Sequence, residues 1–267
     1  MILVCWFGFS SAWADEENAD NVLDKRFTFY GGAQFYQADG KFGSIKQGKP
    51  DRKIDLDGLG LNENEVSPIA GVIINFGRKW TLRLDYFGYH DDGNATADFS
   101  FDFDDVSFPV AARLDSSLDL DVYVANLSYD FIHTERARVG VGMGVHAAYI
   151  NLKISGTVNL AGTEIDLGSG KADLLAPLPN LYVTGAYSFT DRFLVRGGAG
   201  GMSLTYGDWD GSLWFVNAFV EYWPFRHAGI GAGYRYVDAN VEYDAGYKKE
   251  TYDFTLPGPV LYVTAGF

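Results

Sequence analysis

Apolar and polar residues alternate along ten stretches of this chain, and no other feature constrains its fold as strongly. A period of two is typical of β-strands whose two faces meet different surroundings. Each stretch also supplies the ~9–11 residues with which a tilted strand crosses a membrane. The predicted strands lie near 26–37, 66–76, 79–90, 118–131, 137–152, 179–189, 192–206, 211–223, 228–243 and 256–267.

The segments between these strands alternate in length. Short connections lie at 76–80, 133–136, 189–193 and 223–227, and longer ones at 38–65, 91–117, 153–178 and 244–255, with 207–210 as a compact exception. Short turns on one side and long loops on the other are typical of outer-membrane barrels. We therefore predict an all-β fold, a closed antiparallel up-and-down transmembrane β-barrel of ten strands, with both chain ends on the short-turn side.

Aromatic residues cluster at the ends of the predicted strands. Those at the short-turn ends are Phe27, Phe29, Phe76, Trp80, Phe131, Phe189, Phe193, Tyr222, Phe225 and Phe267. A second group near the long loops comprises Phe35, Tyr86, Tyr123, Tyr149, Trp214 and Tyr236. Rings of aromatic side chains mark the two interfaces of a membrane, whereas a soluble protein that exposed them would tend to aggregate. The pattern favours a membrane barrel.

The first residues have the features of a secretory signal. Residues 1–14 form a short apolar run that ends in Ala12-Trp13-Ala14, a small-x-small cleavage pattern. A basic start is missing, so we expect the signal to begin upstream of Met1. No run of ~18 apolar residues occurs, so we expect no transmembrane helix. The sequence predicts a signal peptide at 1–14, a short periplasmic lead-in at 15–25 and the barrel at 26–267.

Assigning the apolar strand faces to lipid places charged residues on the inside. An Arg or Lys on the lipid side at the bilayer midplane costs ~2–4 kcal/mol, so these side chains are expected in the lumen. Glycines on the same faces leave room for long side chains. A charge-balanced interior predicts a plugged lumen. If 207–210 is a tight loop, Arg196 is expected directly opposite Glu221. The predicted lumen ion-pair network comprises Arg83, Asp85, Asp130, Arg196, Glu221 and Arg235.

The last predicted strand alternates up to Phe267, with Leu261, Val263 and Ala265 on one apolar face. A terminal aromatic on an alternating strand resembles the C-terminal signature of bacterial outer-membrane β-barrels. With its topology and aromatic rings, the chain resembles the small barrels of the outer-membrane protein A, protein X and opacity type. The resemblance implies an integral outer-membrane protein with periplasmic termini, inserted by the barrel-assembly machinery, with Phe267 as its membrane-assembly signal. Those relatives usually have eight strands, which is the alternative to ten.

Carboxylates are concentrated around the predicted loop at 91–117. Residues 91–121 hold nine acids against Arg113 alone. Clustered carboxylates bind Ca²⁺ or Mg²⁺, and the candidate loop cation site comprises Asp98, Asp102, Asp104 and Asp105. The favoured alternative is that the charge keeps a hairpin arm soluble and protects its edges. We expect no cofactor, because the glycine repeats lack both the dinucleotide spacing and a following helix.

Three functions fit the sequence. A net charge of −14 argues against nucleic acid as a partner. The first hypothesis is a non-enzymatic barrel among outer-membrane lipid and lipopolysaccharide, whose acidic, aromatic loops serve surface interaction or envelope integrity through an unidentified extracellular ligand. The second is a narrow porin-like channel for small solutes. The third is a surface hydrolase that uses the rim residues His90, Asp91, Asp92, Asp208 and Asp210.

Overall fold

The computed structural model describes residues 21–46, 53–246 and 248–267. The predicted signal peptide at 1–14 lies outside the described residues. Two short 3-10 turns lie at Val22–Asp24 and Asp57–Leu59. The strands are β1 (Phe27–Phe35), β2 (Asp39–Lys46), β3 (Ile54–Asp55), β4 (Val66–Phe76), β5 (Trp80–Thr96), β6 (Phe101–Phe103), β7 (Val106–Phe108), β8 (Arg113–His133), β9 (Ala137–Leu160), β10 (Thr163–Thr190), β11 (Phe193–Tyr206), β12 (Trp209–Tyr222), β13 (Ala228–Asp244), β14 (Lys248–Thr255) and β15 (Gly258–Gly266).

Ten of these strands form a ring. Antiparallel pairing runs through β1, β4, β5, β8, β9, β10, β11, β12, β13 and β15, and β15 pairs with β1 again. Each of the ten overlaps one predicted strand, and consecutive ring strands are neighbours, as in an up-and-down sheet. Among the described residues, no helix has the length and apolar character to cross a bilayer.

All four of the predicted long loops contain strand residues. The prediction of a loop at 153–178 is wrong, because residues 137–160 of β9 pair with residues 163–187 of β10 as one long hairpin. Its tip is a two-residue turn, where Gly162 has a φ of 89°. The segments 38–65 and 244–255 contain β2, β3 and β14, and β14 pairs with both β13 and β2. The sheet therefore extends well beyond the predicted strands at the long-loop end.

The outward face of the ring carries an apolar band. The aromatic residues predicted at the short-turn ends are all exposed. In the second group Phe35, Tyr123, Tyr149 and Trp214 are exposed, and Tyr86 and Tyr236 are half-buried. The predicted faces are therefore confirmed: β9, for example, exposes Val141 and Met143 and directs His146 inward.

The hairpin arm predicted around the loop at 91–117 is only partly correct. β5 and β8 stay paired as far as Thr96 and Arg113, but β6 and β7 then form a separate small hairpin. Its aromatic residues turn inward, so that Phe101 and Phe108 stack at 5.0 Å between ring centroids within the buried core. These loop aromatic residues avoid water by packing on one another.

Candidate functional site

The interior of the ring is filled by three layers with different chemistry. We call residues 21–25 the N-terminal plug, the buried ionic residues around Arg83 and Glu221 the charged layer, and the apolar residues at the long-loop end the apolar cap. The N-terminal plug lies at the short-turn end and the charged layer lies between the other two.

The N-terminal plug is held inside the short-turn end by apolar and polar contacts. Val22 and Leu23 are each 4% exposed and pack with Leu194 and Trp223. Nη2 of Arg138 donates to Oδ1 of Asp24 at 2.6 Å. The sequence predicted a plugged lumen but not a plug formed by the N-terminal segment, because it predicted a periplasmic lead-in at 15–25. Residues 15–20 lie outside the described residues. In the sequence, the apolar pair Val22 and Leu23 was the feature that indicated burial of this segment.

The plug is also tied to the chain segments around it. Nζ of Lys25 donates to the carbonyl oxygen of Arg226 at 2.6 Å. The Asn75 side chain amide donates to the carbonyl oxygens of Leu23 and Lys25 at 3.3 and 2.8 Å. Asn75 thus satisfies two backbone carbonyl groups of the plug, and the Lys25 side chain ties the plug to the turn between β12 and β13.

Arg83, Asp85 and Arg235 form one half of the charged layer. Nε of Arg83 lies 2.8 Å from Oδ2 of Asp85, and Nη2 of Arg235 lies 3.8 Å from Oδ1 of the same carboxylate. Nη1 of Arg235 donates to Oε1 of Gln34 at 3.3 Å, and its guanidinium lies 4.5 Å from the ring centroid of Phe87. Arg235 is 5% exposed, so its charge is compensated within the protein.

Glu221 is the centre of the other half. Nε of Arg196 lies 2.8 Å from Oε1 of Glu221. The same carboxylate accepts hydrogen bonds from Nε1 of Trp223 at 3.0 Å and from the hydroxyl of Tyr262 at 2.9 Å. A carboxylate with these three partners is well satisfied although it is only 2% exposed.

The predicted register of this ion pair is wrong. Arg196 is directly opposite Phe219, and Glu221 is opposite Leu194. The two charged side chains therefore meet diagonally, over a distance that long side chains can span. The turn between Tyr206 and Trp209 contains only two residues, and this length sets the register of β11 against β12.

Asp130, the sixth predicted member, lies nearer the short turns. It is 3% exposed and sits opposite Gly140 in β9. It lines a cavity of about 100 Å³ together with Arg83, Arg138, Arg196 and Arg235. Asp130 therefore lines the same cavity as the ion pairs.

Glycine residues make room for the aromatic groups of the charged layer. A Cβ on Gly231 would collide with the ring of Tyr262, and one on Gly142 would collide with the ring of Tyr182. The sequence predicted that inward glycines leave room for long Arg and Glu side chains; at these two positions the room is taken by tyrosine rings.

The apolar cap closes the long-loop end. Leu118, Leu152 and Ile154 are fully buried on the inner faces of β8 and β9. Above them Phe42 packs edge-on against Phe254 at 5.1 Å between ring centroids. Burial raises the pKa of the nearby Tyr252, which keeps this phenol neutral. The sequence did contain a signal for the cap, because the inner-face alternation of apolar residues continues past the predicted strand ends.

The structure does not assemble the candidate loop cation site. Ser107 donates to Asp102, and Asp104 accepts from the backbone N–H of Lys171 at 3.4 Å. Within the described residues, no group of three or more acidic, histidine or cysteine side chains could hold a metal ion. The four aspartates, which include Asp98 and Asp105, therefore form no metal site in the structure.

The rim residues of the hydrolase hypothesis are not brought together either. His90 Nε2 lies 3.1 Å from Asp121 Oδ1, and Asp91 accepts from the backbone N–H of Asn62 at 2.6 Å. Asp210 accepts from Thr205 at 2.6 Å. Because β5 and β12 lie on opposite sides of the ten-strand ring, the apolar cap separates the two groups.

The ring, its outward apolar band and its filled interior define the fold of an outer-membrane β-barrel protein. The solved structure of the outer membrane protease OmpT from Escherichia coli superposes with a TM-score of 0.51 at 9% identity, covering 90% of this chain and 97% of that one. At this identity the likeness establishes the fold alone.

Two further solved structures are more distant. OprG from Pseudomonas aeruginosa has a TM-score of 0.36 at 12% identity, covering 90% of this chain and 95% of that one. The toluene transporter TodX from Pseudomonas putida has a TM-score of 0.34 at 11% identity, covering 91% and 90%. Scores at this level carry no structural argument. No family model matches the chain, and no curated protein matches it.

Proposed function

We propose that this chain is a non-enzymatic integral outer-membrane protein, a closed ten-stranded barrel that does not conduct solutes through its lumen. One observation carries the proposal: the interior is occupied in succession by the N-terminal plug, the charged layer and the apolar cap. Barrels of this width are typically filled by side chains, whereas those of sixteen or more strands leave a channel.

A barrel without a channel acts through its surface. The long β9 and β10 hairpin carries the exposed acids Glu164 and Asp166 close to its tip. Asp98 and Asp105 are exposed around the β6 and β7 hairpin. We assign the long-loop end to the extracellular side, where this acidic surface serves interaction with a cationic ligand or the integrity of the envelope.

Ion conductance tests the proposal. Purified protein in planar bilayers is expected to show no steady conductance, because the apolar cap excludes water and ions from one end of the lumen. Insertion is verified in parallel by heat-modifiable electrophoretic mobility of the reconstituted protein. Stable conductance steps from inserted protein would overturn the plugged barrel.

A narrow channel for small solutes is the second candidate. The polar cavity of about 100 Å³ beside Arg196 favours it. This candidate requires Arg196→Ala to change conductance or ion selectivity. If neither the wild type nor the variant conducts, the channel is excluded.

Phe267 supports the proposed location and route of assembly. Its backbone pairs with Phe27 in both directions at 3.0 and 2.8 Å, and its exposed ring stacks on His227. We assign both ends of the barrel to the periplasm, where the barrel-assembly machinery acts. Deleting Phe267 is expected to lower the amount of folded protein in the outer membrane several-fold, measured on membrane fractions. Phe225→Ala, which removes another exposed aromatic at this end, is the control; an equal effect of the two changes would contradict a specific signal.

A further inference from the structure

The wall of the ring is interrupted between β10 and β11 at the long-loop end. Their pairing ends at Leu181 and Gly201. Beyond this point β10 remains paired with β9, and β11 remains paired with β12 as far as Tyr206 and Trp209. A gap in the hydrogen-bonded wall therefore lies between β10 and β11, and behind it Leu178 of β10 lies against Gly211 of β12.

Two prolines explain why the pairing stops there. Pro177 and Pro179 follow directly above the last β10–β11 pair and have no N–H to donate. Residues two apart direct their N–H groups to the same strand edge, so one edge of β10 lacks two successive donors. β9 stays paired opposite both prolines, and β11 is the neighbour that is lost. Proline is tolerated in a strand only on such an unpaired edge.

The gap leads into an apolar pocket of about 290 Å³. Met202, Leu204 and Tyr206 line it from β11; they continue the inward-facing positions of that strand, yet they are exposed. Leu178 lines the opposite wall and is 7% exposed. The pocket thus joins the outward surface to the apolar cap.

The mouth of the pocket opens within the outward apolar band. The outward positions of β10 carry Leu175, Pro177, Pro179 and Leu181 at this level. The next outward side chain toward the hairpin tip, two residues from Leu175, is Asp173. The apolar band of β10 ends there. The mouth therefore faces hydrocarbon just below the headgroup level, and its apolar walls are continuous with the lipid-facing surface.

Two lysines lie close above this mouth. Lys171 of β10 and Lys153 of β9 are direct register partners, and both are exposed on the outward face. Asp173, two residues nearer the mouth, and Asp119 of the neighbouring strand β8 share this outward face, so carboxylates of the chain itself lie beside the two lysines.

We propose that this lateral pocket binds one acyl chain of a membrane lipid from the leaflet on the long-loop side. The site uses apolar contact with the chain. It depends on the membrane location proposed above but not on whether the lumen conducts, so a conductance measurement leaves it unaffected.

Native mass spectrometry of the detergent-solubilised chain, titrated with dipalmitoylphosphatidylethanolamine, tests the site. The wild type is expected to retain one lipid saturably, whereas glycerophosphoethanolamine, which has no acyl chains, is expected not to bind. Met202→Asn with Leu204→Asn is expected to weaken retention about tenfold, because apolar contact is lost. The matched control, Val216→Asn with Val220→Asn, changes two exposed residues of the outward face of β12 and should leave it unchanged.

Absence of a saturable first lipid would overturn the proposal. Equal weakening by the control pair would also overturn it, because retention would then be a property of the whole apolar band. Equal binding of the headgroup alone would have the same consequence.

A second variant tests the gap without adding polar groups to the pocket. Pro177→Val with Pro179→Val restores two donors, so β10 and β11 are expected to pair further and to exclude the lipid. Hydrogen exchange at residues 202–206 should slow in step with the loss of retention. Pro68→Val, in β4, is the control for replacing a strand proline. Slowed exchange with unchanged lipid retention would refute the lateral entry.

Discussion

The charged layer and the apolar cap lie on the inner faces of the same strands. The inner face is polar in the charged layer and apolar in the cap. On β8 the inner face carries Leu114, Leu118 and Leu120 in the cap and then Asn126, Ser128 and Asp130 nearer the short turns. The outer face changes in the opposite sense, from Asp115, Asp119 and Asp121 to Tyr123, Leu127 and Tyr129. The direction of each side chain stays the same while the polarity of the two faces is exchanged.

This reversal shows where the surroundings of the strands change. In water a sheet buries its apolar face, as the cap does. In a bilayer the outer face is solvated by hydrocarbon, and the polar face has to be satisfied inside. The switch between Asp121 and Tyr123 on β8 therefore marks the membrane boundary at the long-loop end.

Removing Glu221 should have the largest effect on stability. Glu221→Ala leaves Arg196 without its carboxylate and removes the acceptor of Trp223 and Tyr262. Breaking a buried ion pair from one side costs about 3–5 kcal/mol. Urea unfolding in lipid vesicles, followed by tryptophan fluorescence, measures this change. Glu221→Gln keeps the shape and part of the hydrogen bonding and should cost less. A loss below about 1 kcal/mol for Glu221→Ala would mean that the charged layer does not hold the ring together.

A cavity in the apolar cap should have a somewhat smaller and more local effect. Leu118→Ala removes a fully buried side chain and is expected to cost about 2–4 kcal/mol. The cap should then open before the ring unfolds, which limited proteolysis at the long-loop end detects. The control is Leu127→Ala on the exposed outer face of the same strand. Equal protease sensitivity of the two variants would show that the cap is not a separate layer.

Breaking an exposed ion pair should have the smallest effect. Nζ of Lys53 lies 2.7 Å from Oδ2 of Asp253, with side chains 36% and 29% exposed. Lys53→Ala is expected to cost about 0.2–1 kcal/mol and to lose its effect at high salt. The same urea titration at two salt concentrations measures it. A cost comparable to that of Glu221→Ala would remove the distinction between buried and exposed charge.

Much of the fold was predictable from local patterns. The ten ring strands, their outward and inward faces and the aromatic short-turn ends follow from alternation, which each strand carries by itself. The burial of Arg83, Arg196 and Arg235 follows from the same alternation together with the cost of charge in lipid. The length of β10 was missed because its two prolines resemble the end of a strand.

Alternation along single strands thus determined what each side chain of the ring faces. Contacts between distant segments decided the rest: the entry of Val22 and Leu23 into the short-turn end, the diagonal meeting of Arg196 with Glu221, and the gap beside Pro177. The physical reason is that alternation records only the surroundings of a face. Register, plugging and strand separation depend on which segments compete for the same edge or the same space.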